Sequence, residues 1–169
     1  MSNPDEKCHS RIEIPTSCVH IGTSVAEEVI ITDEDGTLEA VFVIMKDGNI
    51  EFHESLPGPN EDTIYMPIPI TDDAIKEKAV ILPDGIEDFG DVPILIAQIK
   101  THIHTYVDVS SEYETFSAWY ILLTWVYDRL NTLAYLRVLG DTGAGKSRFL
   151  DVIGGLCYKP IRVSGAITP

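Results

Sequence analysis

Eight consecutive residues, Gly140-Asp141-Thr142-Gly143-Ala144-Gly145-Lys146-Ser147, satisfy the pattern G-x-x-x-x-G-K-[ST] in full. At that spacing these residue types suit the capture of a phosphate chain. Successive backbone N–H groups of a glycine-rich turn converge on an anion, and the helix that follows adds a partial positive charge. The glycines allow backbone conformations and a close approach that a Cβ would block. A lysine directly behind the last glycine reaches the β- and γ-phosphates, and the next hydroxyl is a ligand for Mg²⁺. ATP and Mg²⁺ are the cofactors this implies, with Gly140 to Ser147 holding the nucleotide and Ser147 meeting the metal through it. The competing reading is a plain glycine-rich turn between strand and helix, with an exposed lysine.

Such a loop needs a strand before it and a helix after it. Leu133 to Leu139 (LAYLRVL) predicts a strand running into Gly140. Ser147 to Ile153 predicts a helix with Phe149, Leu150, Ile153 and Leu156 on one face, ended by Gly154-Gly155, and Ile161 to Val163 predicts a second strand. Arg137 departs from the pattern of a strand buried on both faces, and is expected to face a partner or sit near an edge. Ahead of the loop, Pro93 opens PILIAQIKTHIHTYVDV, where Leu95 or Ile96, Ile99, Ile103, Tyr106 and Val107 recur at helical spacing. Ser110 or Ser111 caps a second helix, with Glu112 and Glu114 in its first turn, that continues through Trp119 to Leu130. The two form a helical hairpin.

Further upstream, the runs Val29–Thr32, Leu38–Met45 and Ile50–His53 are separated by DEDG and KDGN, both Asp-Gly turn signals, and predict an antiparallel meander. LPGPNEDTIYMPIPI reads as an extended connector, and TDDAIKEKA as a short helix with Thr71 as its N-cap. The expected fold class is α/β. An acidic β-hairpin-rich α+β module occupies 1–85, the helical hairpin 86–132, and the first strand-loop-helix-strand of a P-loop NTPase sheet 133–169.

The net charge of −15 over 169 residues is uneven. Residues 1–110 hold 22 of the 27 acidic and 6 of the 12 basic side chains, net −16, whereas residues 111–169 are at +1. So acidic a first half repels phosphate backbones and is not expected to contact nucleic acid alone. Three cysteines, an odd number, argue against a disulfide framework. The N-terminus has no basic stretch followed by an apolar one, and the longest apolar run, Phe116 to Tyr127, is too short to span a bilayer. The expected location is the cytoplasm, with no membrane partner.

Four further groups have candidate chemistry. Cys8, His9, Cys18 and His20 are of the types zinc prefers, but their spacing is not that of a standard knuckle, and surface residues are the expected reading. His102 and His104 lie about 200° apart around a helix and cannot share a ligand. Trp119, Tyr120, Trp125 and Tyr127 have the rings of a base-stacking platform, but beside Ile121, Leu122 and Leu123 they are expected in the core. The acidic clusters Glu27-Glu28, Asp33 to Asp35 and Glu87-Asp88 are expected to be solvated faces.

About 130 residues precede the loop strand, whereas small-molecule kinases usually begin with it. From about Phe116 to Pro169, a third of the chain, the sequence resembles the ATPase domains of helicase or primase-helicase replication proteins of phages, plasmids and archaea, of the AAA+ or superfamily-3-like type. The resemblance implies a ring-forming homo-oligomer that moves along or opens DNA, with Gly140 to Ser147 as its nucleotide loop. Hydrolysis in such enzymes also needs an acidic Mg²⁺ residue on a later strand, a residue that orients water, and an interface arginine. No catalytic residue of this kind is identifiable in these 169 residues, and the chain is expected to be the N-terminal part of a longer ATPase. Two alternatives are an acidic protein-interaction module with a vestigial P-loop, and a P-loop regulator or phosphotransferase that does not act on DNA.

Overall fold

The computed structural model describes residues 11–33, 35–46, 48–87, 89–161 and 163. It is a mixed α/β chain with two sheets and four helices among those residues. It divides into two compact units, one formed by 1–78 with 82–86 and the other by 79–81 with 87–169.

The first unit is built on the predicted meander. Strands β2 (Cys18–Ile21), β3 (Ser24–Thr32), β4 (Leu38–Lys46) and β5 (Asn49–His53) form an antiparallel sheet in sequence order. The Asp33 carboxylate fixes the turn between β3 and β4 by accepting from Asp35 N at 2.9 Å and Thr37 N at 2.7 Å. Val41 to Ile44 of β4 are buried in succession, so both faces of the sheet are covered there. Phe42 and Ile44 meet Val19, Ala26 and Leu56 on one face, and Val41 and Val43 meet Val29 on the other.

The stretch read as an extended connector instead carries two strands. Here β6 (Leu56–Pro57) pairs antiparallel with β7 (Thr63–Met66), and β7 pairs in parallel with β1 (Ile12–Pro15). Its prolines mask the strand signal, because Pro57 can occupy a sheet edge without donating to the ladder. The short helix α1 (Asp73–Lys76) is capped by Asp72 rather than Thr71, with Ala74 N donating to Asp72 Oδ1 at 2.9 Å.

In the second unit, α2 (Val92–Tyr106) starts behind Asp91, whose carboxylate accepts from Ile94 N at 2.9 Å. Helix α3 (Ser111–Trp125) follows after a short connection and ends in a single 3₁₀ turn at Tyr127–Arg129, and α4 (Lys146–Leu156) comes after the glycine-rich loop. Ile99 and Ile103 of α2, Ala118 and Ile121 of α3, and Phe149 and Ile153 of α4 form one core. Across α2 and α3, His104 Nδ1 lies 2.8 Å from Glu114 Oε1, and Lys100 Nζ donates to Thr115 Oγ1 at 2.8 Å.

The helical hairpin corrects the reading of Trp119, Trp125 and Tyr127, whereas Tyr120 packs against the core as expected. The inward stripe of α3 is Glu114, Ser117, Ala118, Ile121 and Thr124, whereas Trp119 is 55% exposed and Trp125 and Tyr127 are about half exposed. The helix is apolar almost all round, so periodicity does not distinguish its faces, and the stripe of small side chains is the one that lets α2 and α4 approach.

Glu112, in the first turn of α3, has its carboxyl held below the ordinary 4.5, first by its own backbone N–H and then by the Ser110 hydroxyl, with Lys100 adding attraction. A depressed carboxyl stabilises the fold above its unfolded value, and the contribution disappears as pH falls through the folded value. Glu112→Gln is therefore expected to lower the melting temperature at neutral pH, and by less in acid well below 4.5. Thermal melts of both proteins at neutral and acid pH check this.

Candidate phosphate-binding loop

Helix α4 is fixed to the hairpin at both ends of its inward face. Phe149 and Ile153 enter the shared core. At the C-terminal end, Trp125 Nε1 donates to Leu156 O at 2.9 Å, and Tyr158 N donates to Thr124 Oγ1 at 3.0 Å. Trp125 and Tyr127 also pack their rings on Tyr158, at 5.3 and 5.5 Å between centroids, so these aromatics close the end of α4. Cys157 donates Sγ–H to Ile153 O, and burial pushes its thiol above the ordinary value, which keeps it protonated at neutral pH.

At the other end, the glycine-rich loop turns directly into α4. Gly143 and Gly145 have φ of +84° and +75°, the left-handed region that a side chain strains to enter. Gly145 is the N-cap of α4, and no side chain caps the helix, so the first N–H groups of α4 are left for a ligand or solvent. Lys146 curls back over the loop, its Nζ donating to Gly140 O at 2.7 Å and to Asp141 O at 2.5 Å. An ammonium has three donors, so one remains for an anion when these two bonds are kept. Ser147 is exposed in the first turn of α4, and Asp141, Thr142 and Ala144 complete the turn.

Gly145→Ala is expected to cost about 1–2 kcal/mol of stability in the second unit, because alanine must hold the same left-handed conformation. A urea titration that gives an unchanged midpoint would show that the loop does not require it.

Leu133–Leu139 does not form the predicted strand ladder. Leu136 and Val138 pack on the core, while Tyr135, Arg137 and Leu139 are exposed, the alternation of an extended segment with one covered face. Among the described residues no other segment pairs with it. Of the predicted strand Ile161–Val163, Arg162 lies outside the described residues, Ile161 makes one antiparallel bridge to Val80, and Ile81 N donates to Pro160 O at 3.4 Å. Leu150, expected on the inward face of α4, is 52% exposed.

The loop opens onto a cavity of about 750 Å³. Its lining includes Gly143 to Lys146 and also Arg137, Arg148, Tyr106, Tyr113 and the α2–α3 connection. Three cations, Arg137, Lys146 and Arg148, face it against one acid, Asp108, in a chain with a net charge of −15. Arg137 gave a sequence signal, as the polar residue in an apolar run. Arg148, Tyr106 and Tyr113 gave none, because only the packing of α4 against the hairpin brings them to the loop.

The zinc candidates are placed only in part. Cys18 and His20 sit two apart on β2, and Cys8 and His9 lie outside the described residues. Among the described residues no three or more His, Cys, Asp or Glu side chains are grouped to hold a metal ion. His102 packs on Tyr106 at 4.9 Å between centroids, while His104 faces Glu114. No described helix is long and apolar enough to cross a membrane. Comparison with protein-family models, with curated proteins and with solved structures returned no match to this chain.

Proposed function

We propose that this chain binds ATP with Mg²⁺ through Gly140 to Ser147, as the nucleotide site of a replication-type ATPase of the DNA helicase or primase-helicase kind. The observation that carries the nucleotide part is the setting of Lys146. Its ammonium lies over the loop carbonyls at the start of an uncapped helix, in a cavity where cations outnumber acids three to one. An anion there gains charge-assisted hydrogen bonds and the helix dipole together. Ser147 is the residue that would hold Mg²⁺, and the ion would neutralise charge on the β- and γ-phosphates.

The fit rests on this chain's own groups. The left-handed glycines keep Cβ atoms out of the cradle, and the free helix N–H groups need an acceptor. The DNA part of the proposal, with a homo-oligomeric ring, rests on the resemblance of residues 116–169, and the cytoplasmic location on the N-terminal sequence, which has no basic stretch followed by an apolar one. Its test is ATP hydrolysis by the intact gene product, with and without single-stranded DNA. Stimulation by DNA that is lost in Lys146→Ala supports it, and an ATPase indifferent to DNA favours a regulator or phosphotransferase.

A further inference from the structure

The cavity at the glycine-rich loop is larger and less polar than a phosphate chain requires. Beside the cradle and its cations, it is lined by Tyr106, Val107, Val109, Tyr113 and Leu139. Its volume lies within the range of small-molecule sites, which pair a mostly apolar wall with a few placed polar groups. Tyr113, in the first turn of α3 and outside its inward stripe, is 62% exposed and lines the cavity. Tyr106 is also exposed, but its ring already leans on His102.

We infer that the α2–α3 connection is the nucleoside end of this site, with Tyr113 as the ring on which the base stacks and Tyr106 as a side wall. This rests on the phosphate-loop reading and extends it from a phosphate site to a nucleoside triphosphate site. The helical hairpin then does more than support α4, because its turn forms one wall of the ligand's site. A flat aromatic face accepts any base, so Tyr113 contributes affinity with little choice among bases. Asp108 and Ser110 line the same cavity and offer polar atoms of the kind that ribose hydroxyls take.

The test compares two probes on the full chain by calorimetry, ATP with Mg²⁺ and inorganic tripolyphosphate with Mg²⁺. Tyr113→Ala is expected to weaken ATP about 10-fold and to leave tripolyphosphate within about two-fold, and Tyr113→Phe is expected to keep both. Equal affinity for ATP in Tyr113→Ala and the unsubstituted chain overturns the base contact. A matched loss of both probes in Tyr113→Ala also overturns it, because it shows that the tyrosine supports the cradle instead. If the unsubstituted chain binds neither probe, the phosphate-loop reading itself fails, and this inference with it.

Discussion

Lys146→Ala is expected to weaken ATP binding by about 30- to 150-fold, the equivalent of about 2–3 kcal/mol for charge-assisted hydrogen bonds to a phosphate. The fold should tolerate the change. Among the described residues Lys146 Nζ bonds to the exposed carbonyls of Gly140 and Asp141, which water can satisfy once the ammonium is gone. Affinity and stability therefore separate in this variant, and a calorimetric titration beside a thermal melt measures both. Unchanged affinity would mean that the glycines and the helix N-terminus hold the phosphates without the lysine. Lys146→Arg is not a rescue, because a planar fork does not fit where a compact ammonium folds back over the loop.

Ile153→Ala is expected to destabilise the second unit by about 2–5 kcal/mol. Ile153 is 2% exposed and sits where α4 meets Ile99, Ile103, Ala118 and Ile121, so alanine leaves a cavity in the only core this unit has among the described residues. Leu150 lies three residues earlier on the same helix and is 52% exposed. Leu150→Ala is expected to change stability by about 0.5 kcal/mol or less. Chemical denaturation of the two variants, read against the unsubstituted chain, checks the pair. Equal costs would mean that α4 is rotated from the orientation described. Because the same helix presents Lys146 and Ser147, Ile153→Ala should also weaken ATP, by the fraction of chains whose α4 is undocked.

The contrast between Leu150 and Ile153 shows where sequence reading stopped. The period of α4 predicted an inward face of Phe149, Leu150, Ile153 and Leu156, and the structure places Phe149 and Ile153 at its centre. The width of the covered face depends on the neighbours, which period alone does not supply. The same limit misplaced Trp119 and Trp125 of α3. With apolar residues on every side, the inward stripe was chosen by small side chains at Ser117 and Ala118, a packing property rather than a pattern of hydropathy.

Turn chemistry was legible where side chains bond locally. Asp33 closes the β3–β4 turn, and Ser110, one of the two serines read as the cap of α3, stands at that position without a side-chain cap bond, while the Asp91 cap of α2 was not read from the sequence. Strand pairing was legible only between neighbours in sequence. The parallel partnership of β1 with β7 joins segments about 50 residues apart and leaves no local signature.

At the site, the loop residues were readable as a motif, because each identity answers a local need: left-handed backbone at Gly143 and Gly145, and a cation at Lys146. The rest of the cavity was not. Arg148 is one turn into a helix, and Tyr106 and Tyr113 are separated from the loop by about 30 residues, so only the docking of α4 on the hairpin makes them part of one site.

The measurement closest to the central claim is the backbone amide spectrum of the full chain as ATP with Mg²⁺ is added. The largest shifts are expected on the amides of Gly143, Ala144, Gly145, Lys146 and Ser147, which form the loop and the uncapped start of α4. Shifts absent from those amides at saturating ATP would contradict that claim.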